Sequence, residues 1–77
     1  MNKRENIIER VLGIDPGFGR VGWGVVEKRN GDWKYVAHGC IATNKKIKFI
    51  DRLREIHNNL KKIIIKYQPT NSAVEDL

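Results

Sequence analysis

A chain of 77 residues forms one small domain at most, and a domain of that size buries only about 60 to 65% of its unfolded surface, which excludes a large core. Fifteen Lys and Arg against nine Asp and Glu give a formal charge of +6, a balance that favours a polyanionic partner, nucleic acid first. One Cys, no Cys or His pair at zinc-ligand spacing, no signal-peptide core and no apolar run near the roughly 18 residues that span a bilayer argue against an internal disulfide, structural zinc and a membrane anchor. The expectation is a cytoplasmic protein.

The opening residues are polar, charged and aperiodic, and 1–8 reads as a flexible lead-in. Val11, Leu12 and Ile14 then form a short apolar run that suits a strand covered on both faces, with Pro16-Gly17 expected to stop it. That strand delivers Asp15 at its end. A carboxylate is depleted in strands and costly to bury alone, so Asp15 calls for a metal, a base or a cation; the alternative is a plain turn-initiating Asp, as Asp-Pro pairs often are.

Val21 to Lys28 reads as a second strand, in which Gly22 and Gly24 mark close approach of another backbone or a ligand. Asn30-Gly31 is a strong hairpin signal, which makes Trp33 to Ala42 a third strand antiparallel to the second. Strict alternation along it puts Trp33, Tyr35, Ala37, Gly39 and Ile41 on one face, the expected core face. After a polar connection, Ile50, Leu53, Ile56, Leu60, Ile63, Ile64 and Tyr67 recur at helical spacing and predict an amphipathic helix from about Ile47 to Tyr67, ended by Gln68-Pro69. Ser72 to Val74 begins a further extended segment that reaches Glu75 and Asp76.

A helical crossover returns the last segment to the sheet parallel to a strand already there. Beside the first strand, it would bring Asp15 and Glu75 to one sheet edge. Parallel neighbours lie about 4.8 Å apart, so two anions would share one small volume, which calls for a divalent cation, magnesium or manganese by oxygen-ligand preference. Gly17-Phe18-Gly19-Arg20-Val21-Gly22 fits a dinucleotide-binding pattern, but it opens a strand, whereas that motif works by opening a helix at the pyrophosphate.

With Gly13-Ile14-Asp15-Pro16-Gly17, Gly22-Trp23-Gly24-Val25, Gly39-Cys40-Ile41-Ala42-Thr43, Arg52-Leu53, Tyr67-Gln68-Pro69 and Ala73-Val74-Glu75 in order, the chain resembles the N-terminal part of RuvC-type Holliday-junction resolvases of the ribonuclease H-like superfamily. The resemblance implies an α/β fold with a mixed sheet of three antiparallel strands, a crossover helix and a parallel fourth strand. It also implies a single partial nuclease domain over 1–77, incomplete at its C-terminus and inactive alone. Asp15 and Glu75 become catalytic metal ligands, with two Mg2+ or Mn2+ ions per complete site cutting a DNA phosphodiester in four-way junctions during recombination and repair. Partners implied are junction DNA, a second copy in the full-length form, and the RuvA and RuvB branch-migration proteins. The family's two further acidic ligands and a base-stacking aromatic would come after residue 77.

Arg20 is a candidate contact to the DNA backbone, while the helix lysines read as a solvated face. Asp76 reads as a solvated acid, His38 and His57 as structural or surface residues, Cys40 as a small strand residue, and Trp23, Trp33, Tyr35 and Tyr67 as core. Rival readings are a non-catalytic basic nucleic-acid-binding module, a RuvX-like protein of RNA processing, or an actin-like ATPase lobe.

Overall fold

The computed structural model describes residues 9–17 and 19–75; the lead-in over 1–8, Phe18 and Asp76 lie outside them. Strands β1 (Glu9–Gly17), β2 (Arg20–Arg29) and β3 (Asp32–Ala42) form an antiparallel meander, helix α1 (Phe49–Tyr67) crosses over, and β4 (Asn71–Val74) pairs parallel to β1. The strand order is β3-β2-β1-β4, the arrangement the crossover argument requires.

The β2–β3 hairpin turns through Asn30 at φ 52° and Gly31 at φ 86°, the left-handed pair demanded by a two-residue turn that matches strand twist. Helix α1 ends where Gln68 enters the left-handed region at φ 50° and returns its N–H to the Ile64 carbonyl, after which Pro69 cannot continue it.

Pro16 and Gly17 do not stop β1, contrary to the expectation. Both pair with β2, opposite Val21 and Arg20. The reason is which edge of β1 each residue presents. Arg10 and Ile14 accept hydrogen bonds on the β4 side, from Thr70 and Glu75, so Pro16, a further two residues on, turns its missing N–H to that same side. Strand β4 has ended there at Val74, and no ladder bond is lost.

The described core is small and lies between the sheet and α1. Leu12, Val21, Val25 and Ile41 are buried there, each contributing about 1.5–3 kcal/mol. Trp33 and Tyr35, expected in that core, are 53% and 67% exposed. A β-bulge is the cause: Val25 pairs with Ala37 but Val26 pairs with Tyr35, leaving Val36 unpaired. The extra residue reverses the alternation, so Ala37, Gly39 and Ile41 face the helix while Tyr35 and Trp33 face away. Trp23 and Tyr67 are half-buried and pack together, their ring centroids 5.7 Å apart at 44°.

Far from the carboxylates, Arg10 ties three elements together. Its Nε and Nη2 donate to Glu27 Oε1 at 3.2 and 2.9 Å, and its Nη1 donates to the Tyr67 carbonyl at 2.6 Å, where a cation suits a helix C-terminus. Arg29 reaches the other Glu27 oxygen at 3.5 Å. Glu27→Ala would leave two guanidinium groups facing each other, and a loss of about 2 kcal/mol is expected in urea unfolding, between the values for exposed and buried pairs. A loss below about 0.5 kcal/mol would mean solvent already screens the cluster.

Candidate metal centre

Asp15 and Glu75 reach one place by two routes. Asp15 is carried by β1, opposite Gly22 of β2. Glu75 follows β4, whose parallel register sets Gly13 against Ala73 and Ile14 against Val74; the Glu75 N–H then donates to the Ile14 carbonyl at 2.9 Å. The next step of that register sets Glu75 beside Asp15 on the same sheet face, at the C-terminal ends of two parallel strands. Both residues are exposed, and among the described residues neither forms an ion pair.

They border an open trough of about 520 Å³ whose lining includes Gly13, Gly22, Gly24 and Ala73. Strand alternation and register put these small residues on the face opposite α1. Nothing in the fold forbids side chains there: a Cβ at Gly13, Gly22 or Gly24 would find its nearest atoms at 3.7–3.9 Å, ordinary contact. The glycines therefore keep the surface beside the carboxylates bare.

The donor set suits a hard cation such as magnesium, which takes one or two carboxylates and fills its remaining positions with water and phosphate oxygens. It suits one ion better than two. Among the described residues no group of three or more His, Cys, Asp or Glu comes together.

Arg20 stands on the Asp15 face, two residues along β2 from Gly22 and opposite Gly17, exposed and without an ion pair among the described residues. His38 is exposed and shares a 2.8 Å hydrogen bond with the Tyr35 hydroxyl; His57 and Cys40 are exposed. Cys40 shares the cross-strand row of Asp15, opposite Gly22 and one strand removed, His38 lies in the Gly13 row two residues away, and His57 belongs to α1. No described helix is long and apolar enough to cross a membrane.

A mixed sheet in the order β3-β2-β1-β4, with its helix between the third and fourth strands, defines a ribonuclease H-like α/β fold. Residues 11–77 match the family model described as crossover junction endodeoxyribonuclease RuvC, and the chain belongs to the RuvC family. Curated relatives of that name from Rickettsia africae and Rickettsia felis are each 47% identical over 66 residues, which is 86% of this chain and 42% of theirs. The chain thus spans under half the length of these relatives. Among solved structures, Thermus thermophilus RuvC in complex with Holliday junction substrate superposes with a TM-score of 0.76 at 25% identity, over 88% of this chain and 42% of that one. An Aquifex aeolicus member of the Ppx/GppA family, at 22% identity and a TM-score of 0.66 over 88% of this chain and 26% of its own, shares the fold alone.

Proposed function

We propose that this chain is the N-terminal part of a nuclease domain that resolves four-way DNA junctions by metal-dependent phosphodiester hydrolysis, with Asp15 and Glu75 as catalytic metal ligands. The observation that carries this reading is the pairing of two exposed carboxylates, one from each of two adjacent parallel strands, over a bare glycine trough. Membership of the RuvC family supports the substrate class. Magnesium or manganese, when bound, would supply Lewis-acid polarisation of the phosphate and a water activated for attack.

This chain's own residues do three things in that scheme. Asp15 and Glu75 provide the oxygen donors and fix them to a rigid sheet. Gly13, Gly22 and Gly24 let a sugar-phosphate backbone lie against main chain. Arg20 offers a guanidinium to a neighbouring phosphate, with the planar fork that matches its oxygens. The second ion of a two-metal site requires donors beyond this pair, which the rest of a full-length protein would supply. That protein would work in the cytoplasm as a homodimer on a two-fold junction, alongside RuvA and RuvB.

The metal assignment has a direct test in titration of the chain with Mn2+, read by electron paramagnetic resonance. One site is expected, and Glu75→Gln weakens it by roughly 100-fold or more, since even groups that merely support a ligand contribute 10- to 100-fold. Equal binding by wild type and variant would remove Glu75 from the site.

A further inference from the structure

We propose that the connection between β3 and α1 is a phosphate-binding ridge, in which Lys45, Lys46 and Lys48 hold the duplex DNA backbone beside the Asp15 and Glu75 pair. The proposal rests on the reading that DNA is cut at that pair, and it adds a surface that neither motif nor family membership assigns.

Position is the first argument. Strand β3 runs parallel to β1, so its C-terminal end at Ala42 emerges at the same end of the sheet as Asp15, and ligands of α/β sheets bind outside the carboxyl ends of strands. Ala42 pairs with Arg20, which in turn pairs with Gly17, so β3 ends two cross-strand rows beyond Asp15 and the connection begins just past that row.

Order is the second. The connection is held at its start, where the Thr43 N–H donates to the Gly19 carbonyl at 3.2 Å and Arg52 Nε, from α1, donates to the Thr43 hydroxyl at 3.2 Å. Next to it, Asn44 accepts from Lys46 N–H through its side chain at 2.9 Å and from Ile47 N–H through its carbonyl at 3.3 Å, closing a turn. Lys45 is set further by Gly19, which has φ 74° and no side chain; a Cβ there would lie 2.5 Å from Lys45 Cε. The lysine stem thus lies against Gly19, just before β2, which fixes where its ammonium stands at this end of the sheet. A pre-set backbone lowers the ordering cost of each phosphate contact.

Charge is the third. Lys45, Lys46 and Lys48 are exposed, and among the described residues none pairs with a carboxylate. Two adjacent carboxylates repel an approaching phosphodiester, so cations immediately outside them are where backbone affinity has to come from. Lys61, Lys62 and Lys66 are equally basic but belong to the other end of α1, whose C-terminus is held at Arg10, and Lys66 lies over the Tyr67 ring at 5.3 Å.

The test is the salt dependence of binding of the 77-residue chain to a labelled four-way DNA junction, followed by fluorescence anisotropy in EDTA. Each phosphate contact contributes about 0.9 to the slope of log K against log salt, so the triple change Lys45→Gln, Lys46→Gln, Lys48→Gln is expected to flatten it by about 2.7. Arginine at the same three positions should restore the slope, which separates lost charge from a disturbed turn. Glutamine at Lys61, Lys62 and Lys66 should change it by less than about 1. An unchanged slope in the first variant, an equal flattening in the helix variant, failure of arginine to restore it, no DNA binding at low salt, or tighter binding to an RNA duplex would each overturn the proposal. Because EDTA takes metal out of the measurement, the ridge and the metal assignment fail independently.

Discussion

Asp15→Asn, in residues 1–77 continued by the C-terminal portion of a Rickettsia RuvC relative, is expected to lower junction cleavage by about 1000-fold while junction affinity stays within a few-fold. The rate loss follows from several kcal/mol of transition-state stabilisation that depends on a correctly held metal. Affinity should be spared, because the change leaves untouched the proposed backbone contacts, Arg20 and the lysines. Stability offers a second readout. Asp15 is exposed and stands beside Glu75, so removing one of two neighbouring like charges should leave Tm unchanged or slightly raised. A structural Asp would behave in the opposite way, losing stability while the rate stayed high. Unimpaired cutting by the variant would remove Asp15 from the chemistry.

Gly39→Val should be the most damaging single change to the fold. A Cβ at position 39 would lie 2.8 Å from Cε2, Cζ2 and Nε1 of Trp23, closer than carbon atoms pack, and no part of Gly39's own backbone needs glycine. The ring would have to leave both Gly39 and Tyr67, its partner at 5.7 Å. Overpacking of this kind costs about 3 kcal/mol, which in a domain of this size lowers Tm by 10 °C or more, roughly. Cys40→Val, one residue on but exposed on the open face, is the control and should move stability by less than about 0.5 kcal/mol. An unchanged Tm for Gly39→Val would show that Trp23 has another place to go.

Much of this arrangement could be read from residues alone, because it is set by local chemistry. Asn30-Gly31 dictates its turn through two left-handed residues, the apolar spacing over 50–67 has one helical solution, and a helix between strands forces a parallel return. Those three facts bring Glu75 to Asp15. The features that differ from those expectations are set non-locally. The bulge at Val36 depends on how two strands settle against each other, and no residue type there announces it, yet it decides which side of the sheet Trp33 and Tyr35 occupy. Pro16 continues its strand because β4 is short, a fact about a segment far along the chain. Arg10 and Glu27 read as single charges in the sequence, and only the antiparallel register of β1 and β2 makes them cross-strand partners. Lys48 reads from sequence as one of the helix's solvated lysines, and Lys45 and Lys46 as part of a polar connection; α1 begins only at Phe49, so all three stand in the connection that follows β3.

The β4 strand has a kinetic consequence. It is four residues long, exposed throughout, and moored at its ends by the Thr70 and Glu75 amides on β1, with 60 residues separating Arg10 from Thr70. The meander closes through two tight hairpins and needs no such distant encounter, so it can form first and outlast a detached β4. The Glu75 amide should accordingly exchange its hydrogen for deuterium well before the amide of Val25, which lies in the central strand β2. Each opening event carries one carboxylate away from the other, so the lifetime of the docked strand sets how long the paired site exists at all.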